Sequence, residues 1–319
     1  MIAMPADIPY VIYEGYPGPG SGTDIVFVTG DEEYRSEESM PQLARILAVH
    51  HGFRCTVLFA IDPATGEINP DVLDNIPGLE ALDTADLMVI FTRFRELPDD
   101  QMAHIIDCVN SGRPIVGLRT ATHAFNYVKS PDSPYARWSF RAPAPFEGGF
   151  GRQVLGETWI NHYGHHQVES TRGLIAEGEQ GNPIVNGCED IWGPSDVYSL
   201  TTLTGDSRPI VMGRVLTGMS PDDPPNLEKE LVPVAWTKTY TGETGNTCRV
   251  FTTTMGHNGD FVSEGFRRLV VNGCYWAVGL EDRIPERADV DIVGEYDPSP
   301  IGMGGHRTGL KPEDHQLPQ

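Results

Sequence analysis

The sequence predicts a doubly wound α/β fold on a mainly parallel sheet. Three observations carry this: short apolar runs without polar alternation, helical-period segments between them, and Gly or Pro at the junctions. The first run is 24–29, DIVFVT, stopped by Gly30. Residues 38–51 place Met40, Leu43, Ile46, Leu47 and His50 or His51 at helical spacing, closed by Gly52. Strands follow at 54–59 and, after an acidic connection to Asp83, at 86–91. Residues 98–111 open with Pro98, Asp99 and Asp100 and stop at Gly112, the asymmetry of a helix with Pro and acid in its first turn. A fourth strand is predicted at 114–118.

Beyond residue 125 the pattern loosens. Residues 129–167 are rich in Pro, Gly, Trp and His and have no clear period. Short strands are expected at 196–200, 209–216, 232–240 and 249–254, and an amphipathic helix at 261–278. No internal repeat is visible. The organisation expected is one α/β domain at 24–283, an N-terminal arm at 1–23 and a C-terminal tail at 284–319.

The chain has 319 residues, 39% of them hydrophobic, enough for a sizeable core. With 23 basic and 45 acidic residues its net charge is −22, which argues against nucleic acid or an anionic membrane as a partner. No run approaches the roughly 20 apolar residues of a membrane helix, and the first ten residues lack the pattern of a signal peptide. The five Cys are widely spaced with no CxxC pair. A cytoplasmic location is the default expectation, and secretion stays open if a signal peptide has been removed.

Open α/β sheets bind ligands outside the carboxyl ends of their strands. Four segments are expected there: 30–39, 92–100, 119–125 and 255–260. Glu32 and Glu33 read either as acid/base or sugar-anchoring groups or as a solvated loop, with Glu37 and Glu38 complementing the next helix's dipole. Arg93 and Arg95 suit a carboxylate, phosphate or polyol, or pair with neighbouring acids. The junction PIVGLRTATHAF has the shape of a nucleophile elbow, but its tip is Arg119, with Thr120, Thr122 and His123 following. His257, between Gly256 and Asn258 at a strand end, is a second candidate base. In WINHYGHH, His162 stands at i,i+3 and i,i+4 spacing from His165 and His166. On a helix that spacing would offer imidazoles to a divalent metal such as zinc. Gly164 argues against a helix, and the imidazoles would then serve as hydrogen-bond partners.

The segments VFVTGDEE, VIFTRFRELPDDQ, GLRTATHAF, NPIVNG, DVYSL and RVFTTTMGHNGDF, with the closing NGCYWAVGLEDRIP, together resemble the ThuA-like trehalose-utilisation family over roughly residues 24–283. The RTATHAF and NHYGHH variants resemble a branch frequent in planctomycete-type bacteria. The resemblance implies a flavodoxin-like, class I glutamine amidotransferase-like fold. It also implies carbohydrate metabolism, with processing of 3-keto-glycosides formed by a partner dehydrogenase as one form of it.

Family members often carry His where this sequence has Arg119, which moves the expected base to His123 or His257. Arg119 is then an oxyanion or hydroxyl donor and Glu33 a second acid/base. Arg93, Arg95, Thr120, Trp159, Tyr163 and Asn258 are the expected substrate contacts. His162, His165 and His166 are the expected metal ligands. A non-catalytic sugar-binding or assembly module remains the alternative. In either case the partner is a small sugar, and a homo-oligomer is allowed.

Overall fold

The computed structural model describes residues 8–200 and 202–317. Its strands are β1 (Tyr10–Tyr13), β2 (Asp24–Gly30), β3 (Arg54–Leu58), β4 (Leu87–Thr92), β5 (Ile115–Leu118), β6 (Thr171–Ile175), β7 (Trp192–Gly193), β8 (Arg208–Val215), β9 (Val232–Thr241) and β10 (Thr247–Thr253). The helices are α1 (Ser36–His51), α2 (Asp99–Asn110) and α3 (Glu264–Ala277). All ten strands form one sheet in the order β1-β3-β2-β4-β5-β10-β9-β8-β6-β7.

The central strands β3-β2-β4-β5-β10 are mutually parallel. Counted along the chain, their order is second, first, third, fourth, fifth, which is the flavodoxin-like arrangement. β9, β8, β6 and β7 extend the sheet antiparallel on one side. β1 pairs antiparallel with β3 on the other side, so part of the segment read as an arm is an edge strand.

The two faces carry separate cores. Met40, Leu43, Ile46 and Leu47 of α1 pack with Phe266, Leu269 and Val270 of α3 on one face. Met102, Ile105, Ile106 and Val109 of α2 pack on the other, with Trp138 and Phe150 from the segment that lacked a period. Helices α1 and α2 therefore leave β2 and β4 toward opposite faces, opening a crevice between the carboxyl ends of those neighbouring strands. Gly52 ends α1 with φ 83°, and a Cβ there would stand 2.5 Å from the Tyr16 carbonyl oxygen.

Three expectations change. The last helix starts at Glu264, because the Ser263 side chain caps it by accepting from the Phe266 N–H, and 258–262 forms a separate 3₁₀ turn. Residues 196–200 make no strand. Their backbone pairs only briefly with the His-rich loop, through Tyr163 N–H to Val197 O at 2.7 Å and Ser199 N–H to Asn161 O at 2.8 Å. Glu37 and Glu38 stand in the first turn of α1 as expected, but both are largely enclosed. Glu38 holds the tail, accepting from Ser299 N–H at 2.9 Å and Asn258 Nδ2 at 2.7 Å. The tail also reaches β1 and α1, where the His315 carbonyl accepts from Tyr13 Oη and Arg45 Nη2, each at 2.6 Å. Among the described residues no helix is long and apolar enough to cross a membrane.

Glu37 is buried in the first turn of α1, and neither carboxyl oxygen meets a donor from another described residue. Burial pushes its pKa up to about 8. The unfolded chain releases this proton near the ordinary Glu value, whereas the folded chain keeps it. Stability is therefore lost as pH rises between the two values, by up to ~1.4 kcal/mol per pH unit from this group. Thermal melts of Glu37→Gln should show a higher midpoint than the parent at pH 8.5 and no gain at pH 4. A gap of the same size at both pH values would contradict the assignment.

Candidate active site

The loop after β2 is shaped by Asp31. Its Oδ1 accepts from Glu33 N–H at 2.8 Å and Tyr34 N–H at 2.5 Å, and its Oδ2 accepts from the Thr120 hydroxyl. Thr120, expected to touch substrate, is thus buried and ties this loop to the elbow after β5. Glu32 faces the loop after β4, paired with Arg93 and, at 2.6 Å, with Arg95. The Arg95 side chain is fully buried. It donates to Arg93 O at 2.7 Å and to Pro70 O and Val72 O at 2.9 Å, so it braces backbone and is closed to a ligand. Arg93 stays at the rim, 3.2 Å from Glu33 Oε2.

Arg119 occupies the elbow with φ 46°, a left-handed conformation unusual for a residue with a Cβ. Its guanidinium lies between the rings of Tyr34 and Tyr198, 4.4 and 4.5 Å from their centroids. It donates to the Asp196 carbonyl, to Thr254 O at 3.0 Å and to Asp196 Oδ1 at 3.3 Å. The side chain is fully buried. Arg119 is therefore an anchor between β5, β10 and the 196 segment, not an exposed oxyanion donor.

Above that anchor stands a charged cluster. His162 Nδ1 lies 2.6 Å from Asp196 Oδ2 and His166 Nδ1 3.0 Å from Oδ1. His166 Nε2 faces Glu33 Oε1 at 3.3 Å. Burial alone would raise the Asp196 carboxyl. The bonds from His162 and His166 and the Arg119 guanidinium outweigh it and hold that carboxyl well below the usual range. The bonds to Asp196 and Glu33 push the His166 imidazole up to about 9. His162 and His166 keep 30% and 28% of their side chains exposed, which makes them the open face of the cluster. Trp159 borders it, its ring 6.0 Å from that of His162.

The other expected residues lie elsewhere. His123 is buried among Phe94, Trp159 and Tyr198, at ring separations of 5.0, 5.3 and 5.6 Å. Burial drives its pKa well down, so the ring is neutral. His257 caps the 258–262 turn, with Nδ1 accepting from Gly259 N–H at 2.8 Å. Its Nε2 faces Pro194 O at 3.1 Å and Asp260 Oδ1 at 3.3 Å, so both ring nitrogens are committed. Buried Asn258 donates to Glu38 Oε2 and Ser299 O, both at 2.7 Å. Tyr163 turns away to donate to Glu230 O at 3.1 Å. His165 is exposed, and its backbone N–H is held by Glu169 Oε2 at 2.7 Å, outside the cluster. Asp196, Tyr34 and Tyr198 are the members sequence reasoning missed.

The family described as trehalose utilisation, ThuA, matches residues 24–277. The chain belongs to the ThuA family. A ThuA-like protein from Parabacteroides merdae is similar to it with 17% identity and a TM-score of 0.50, covering 81% of this chain and 90% of that one. Another from Bacteroides uniformis has 13% identity and a TM-score of 0.47, covering 82% and 95%. At 17% identity the likeness to the Parabacteroides merdae protein is one of fold. Among curated proteins none matches the chain.

In this ThuA-family chain the elbow carries no thiol. All five Cys are free and buried. Burial pushes Cys108, Cys188 and Cys274 up to about 12 and Cys248 to about 11, and also raises Cys55. The protein should release no ammonia from glutamine, and thiol alkylation of the folded chain should leave its native activity intact. Ammonia release that alkylation abolishes would overturn this reading of the elbow. Arg119→Met should cost on the order of 3–5 kcal/mol in denaturant unfolding, because Asp196 loses its buried countercharge. A loss within about 0.5 kcal/mol, as for ordinary surface substitutions, would contradict the anchoring role.

Proposed function

We propose that this chain is an enzyme of carbohydrate metabolism that acts on a small sugar or keto-sugar, 3-keto-glycosides included, by histidine-based acid/base chemistry. The observation that carries the reading is the Glu33–His166–Asp196–His162 cluster at the carboxyl rim of the parallel sheet. Membership of a trehalose-utilisation family supports the substrate class.

Proton abstraction beside a carbonyl needs an oriented acceptor and positive charge for the developing oxyanion. Asp196 orients His162 through Nδ1, leaving Nε2 at the open face without a hydrogen bond from any described residue. Arg93 and His166 supply positive charge beside it, and Glu33 accepts from hydroxyls. Trp159 offers a ring face to the apolar side of a sugar. His123 and Arg119, central to the expectation from sequence, become wall and anchor.

The test is turnover of a panel of glycosides and their 3-keto forms, followed by NMR. A keto-sugar should be consumed, and His162→Gln should lower kcat by roughly 10²–10⁴ with sugar binding largely kept. Binding without turnover in the parent protein would favour the non-catalytic sugar-binding module. Neither binding nor turnover of any sugar would refute the substrate class.

A further inference from the structure

We propose that His162, His166 and Asp196 form a site for one divalent cation of the zinc type, at the centre of the catalytic site proposed above. One ligand atom from each lies within 4.8 Å of the others. Two imidazoles and a carboxylate suit Zn²⁺, Co²⁺ or Fe²⁺ better than Mg²⁺ or Ca²⁺, which prefer all-oxygen shells. Three protein ligands with an open side are the pattern of catalytic rather than structural zinc.

The groups behind the ligands give independent support. Ligating imidazoles usually donate their second ring nitrogen to a carboxylate, which fixes the tautomer and the ring. His166 does this, with Nδ1 toward Asp196 and Nε2 toward Glu33 at 3.3 Å, and Glu33 is itself steadied by Arg93. Arg119 grips Asp196 through its backbone oxygen and Oδ1 and makes no bond to Oδ2.

The fit requires the ligand atoms to rearrange around the ion. Ligand atoms about 2.0–2.1 Å from a tetrahedral ion stand roughly 3.3 Å apart. His162 Nδ1 stands 2.6 Å from Asp196 Oδ2 and His166 Nδ1 3.0 Å from Oδ1, so each nitrogen meets a different carboxylate oxygen, and these contacts must widen for an ion to enter between them. His165, predicted as a ligand from spacing alone, has no part in the site because the loop turns at buried Gly164. With the ion in place, His162 and His166 would be its neutral ligands, the ion would supply the positive charge for the developing oxyanion, and the proton would pass to Glu33 rather than to His162. The ion binding itself stands on geometry and does not require the sugar reading.

The experiment strips the full-length protein with a chelator and titrates it with Zn²⁺ and with Co²⁺ by calorimetry and visible absorption. We expect one ion per chain and Co²⁺ d–d bands of low coordination number. His162→Ala and His166→Ala should each weaken binding at least 100-fold, and Glu33→Gln about 10–100-fold. His165→Ala should bind like the parent. Asp196→Asn is checked by circular dichroism first, because Arg119 depends on it for folding. The two histidine variants decide the matter even if that variant is unstable. Absence of stoichiometric binding, or binding that persists in both histidine variants, overturns the proposal. Stripped protein that turns over keto-sugar at the parent rate refutes the ion's catalytic role and spares the sugar reading. An ion bound as expected, with no sugar bound or turned over, refutes the sugar reading alone.

Discussion

A guanidinium cannot be buried without partners, and the whole rim is organised around meeting that requirement for Arg119. Its charge is fully removed from water, so the fold must supply acceptors and polarisable surface around it. Three distant stretches do so. Thr254, just beyond β10, gives a carbonyl, the 196 segment gives a carbonyl and a carboxylate, and Tyr34 and Tyr198 cover both faces of the ion. Each provider is thereby held against the elbow. Asp196 is the one whose position matters for chemistry, since its oxygens also receive both histidines.

The central sheet was legible because its parallel strands carry short, mostly buried apolar runs, and the helices between them end at Gly52 and just before Gly112. β1 was not legible. Four residues between a Pro-rich lead and a Gly-rich turn carry too little pattern, and their strand state comes from pairing with β3. The DVYSL run misleads for the opposite reason. Its Val, Tyr and Leu suit a short strand, but Asp196 and Tyr198 are drawn in to serve Arg119, which lies 77 positions from Asp196 in sequence. Long-range satisfaction of a buried charge overrides local propensity, and a single sequence carries no sign of it beyond an acidic residue ahead of an aromatic one.

Among the histidines, residue type was readable and role was not. His123 and His257 both follow strands, where functional imidazoles are common, and both reach the rim. What separates them from His162 and His166 is the state of their ring nitrogens and their access to water. His257 spends both nitrogens on a turn and on its neighbours. His123 is enclosed by aromatic rings. His162 and His166 sit in a loop without a period, which sequence patterns cannot orient, and they alone of the four keep a substantial exposed face beside a carboxylate.

The location of the cluster follows from topology and from the residue at the elbow together. In this strand order the crevice opens between β2 and β4, and the ion pairs of Glu32 and Glu33 with Arg93 span it. An elbow bearing a small nucleophile would present its reactive atom beside that crevice. Here Arg119 fills the tip, turns inward and carries its charge under Asp196 rather than into the crevice. The reactive face is consequently built one layer higher, by the 159–166 loop, which Asp196 fastens over the crevice and Glu33 meets from the β2 side. Burying a cation at the elbow moves the candidate chemistry from the strand end to an inserted loop, while the same sheet still decides where that loop must stand.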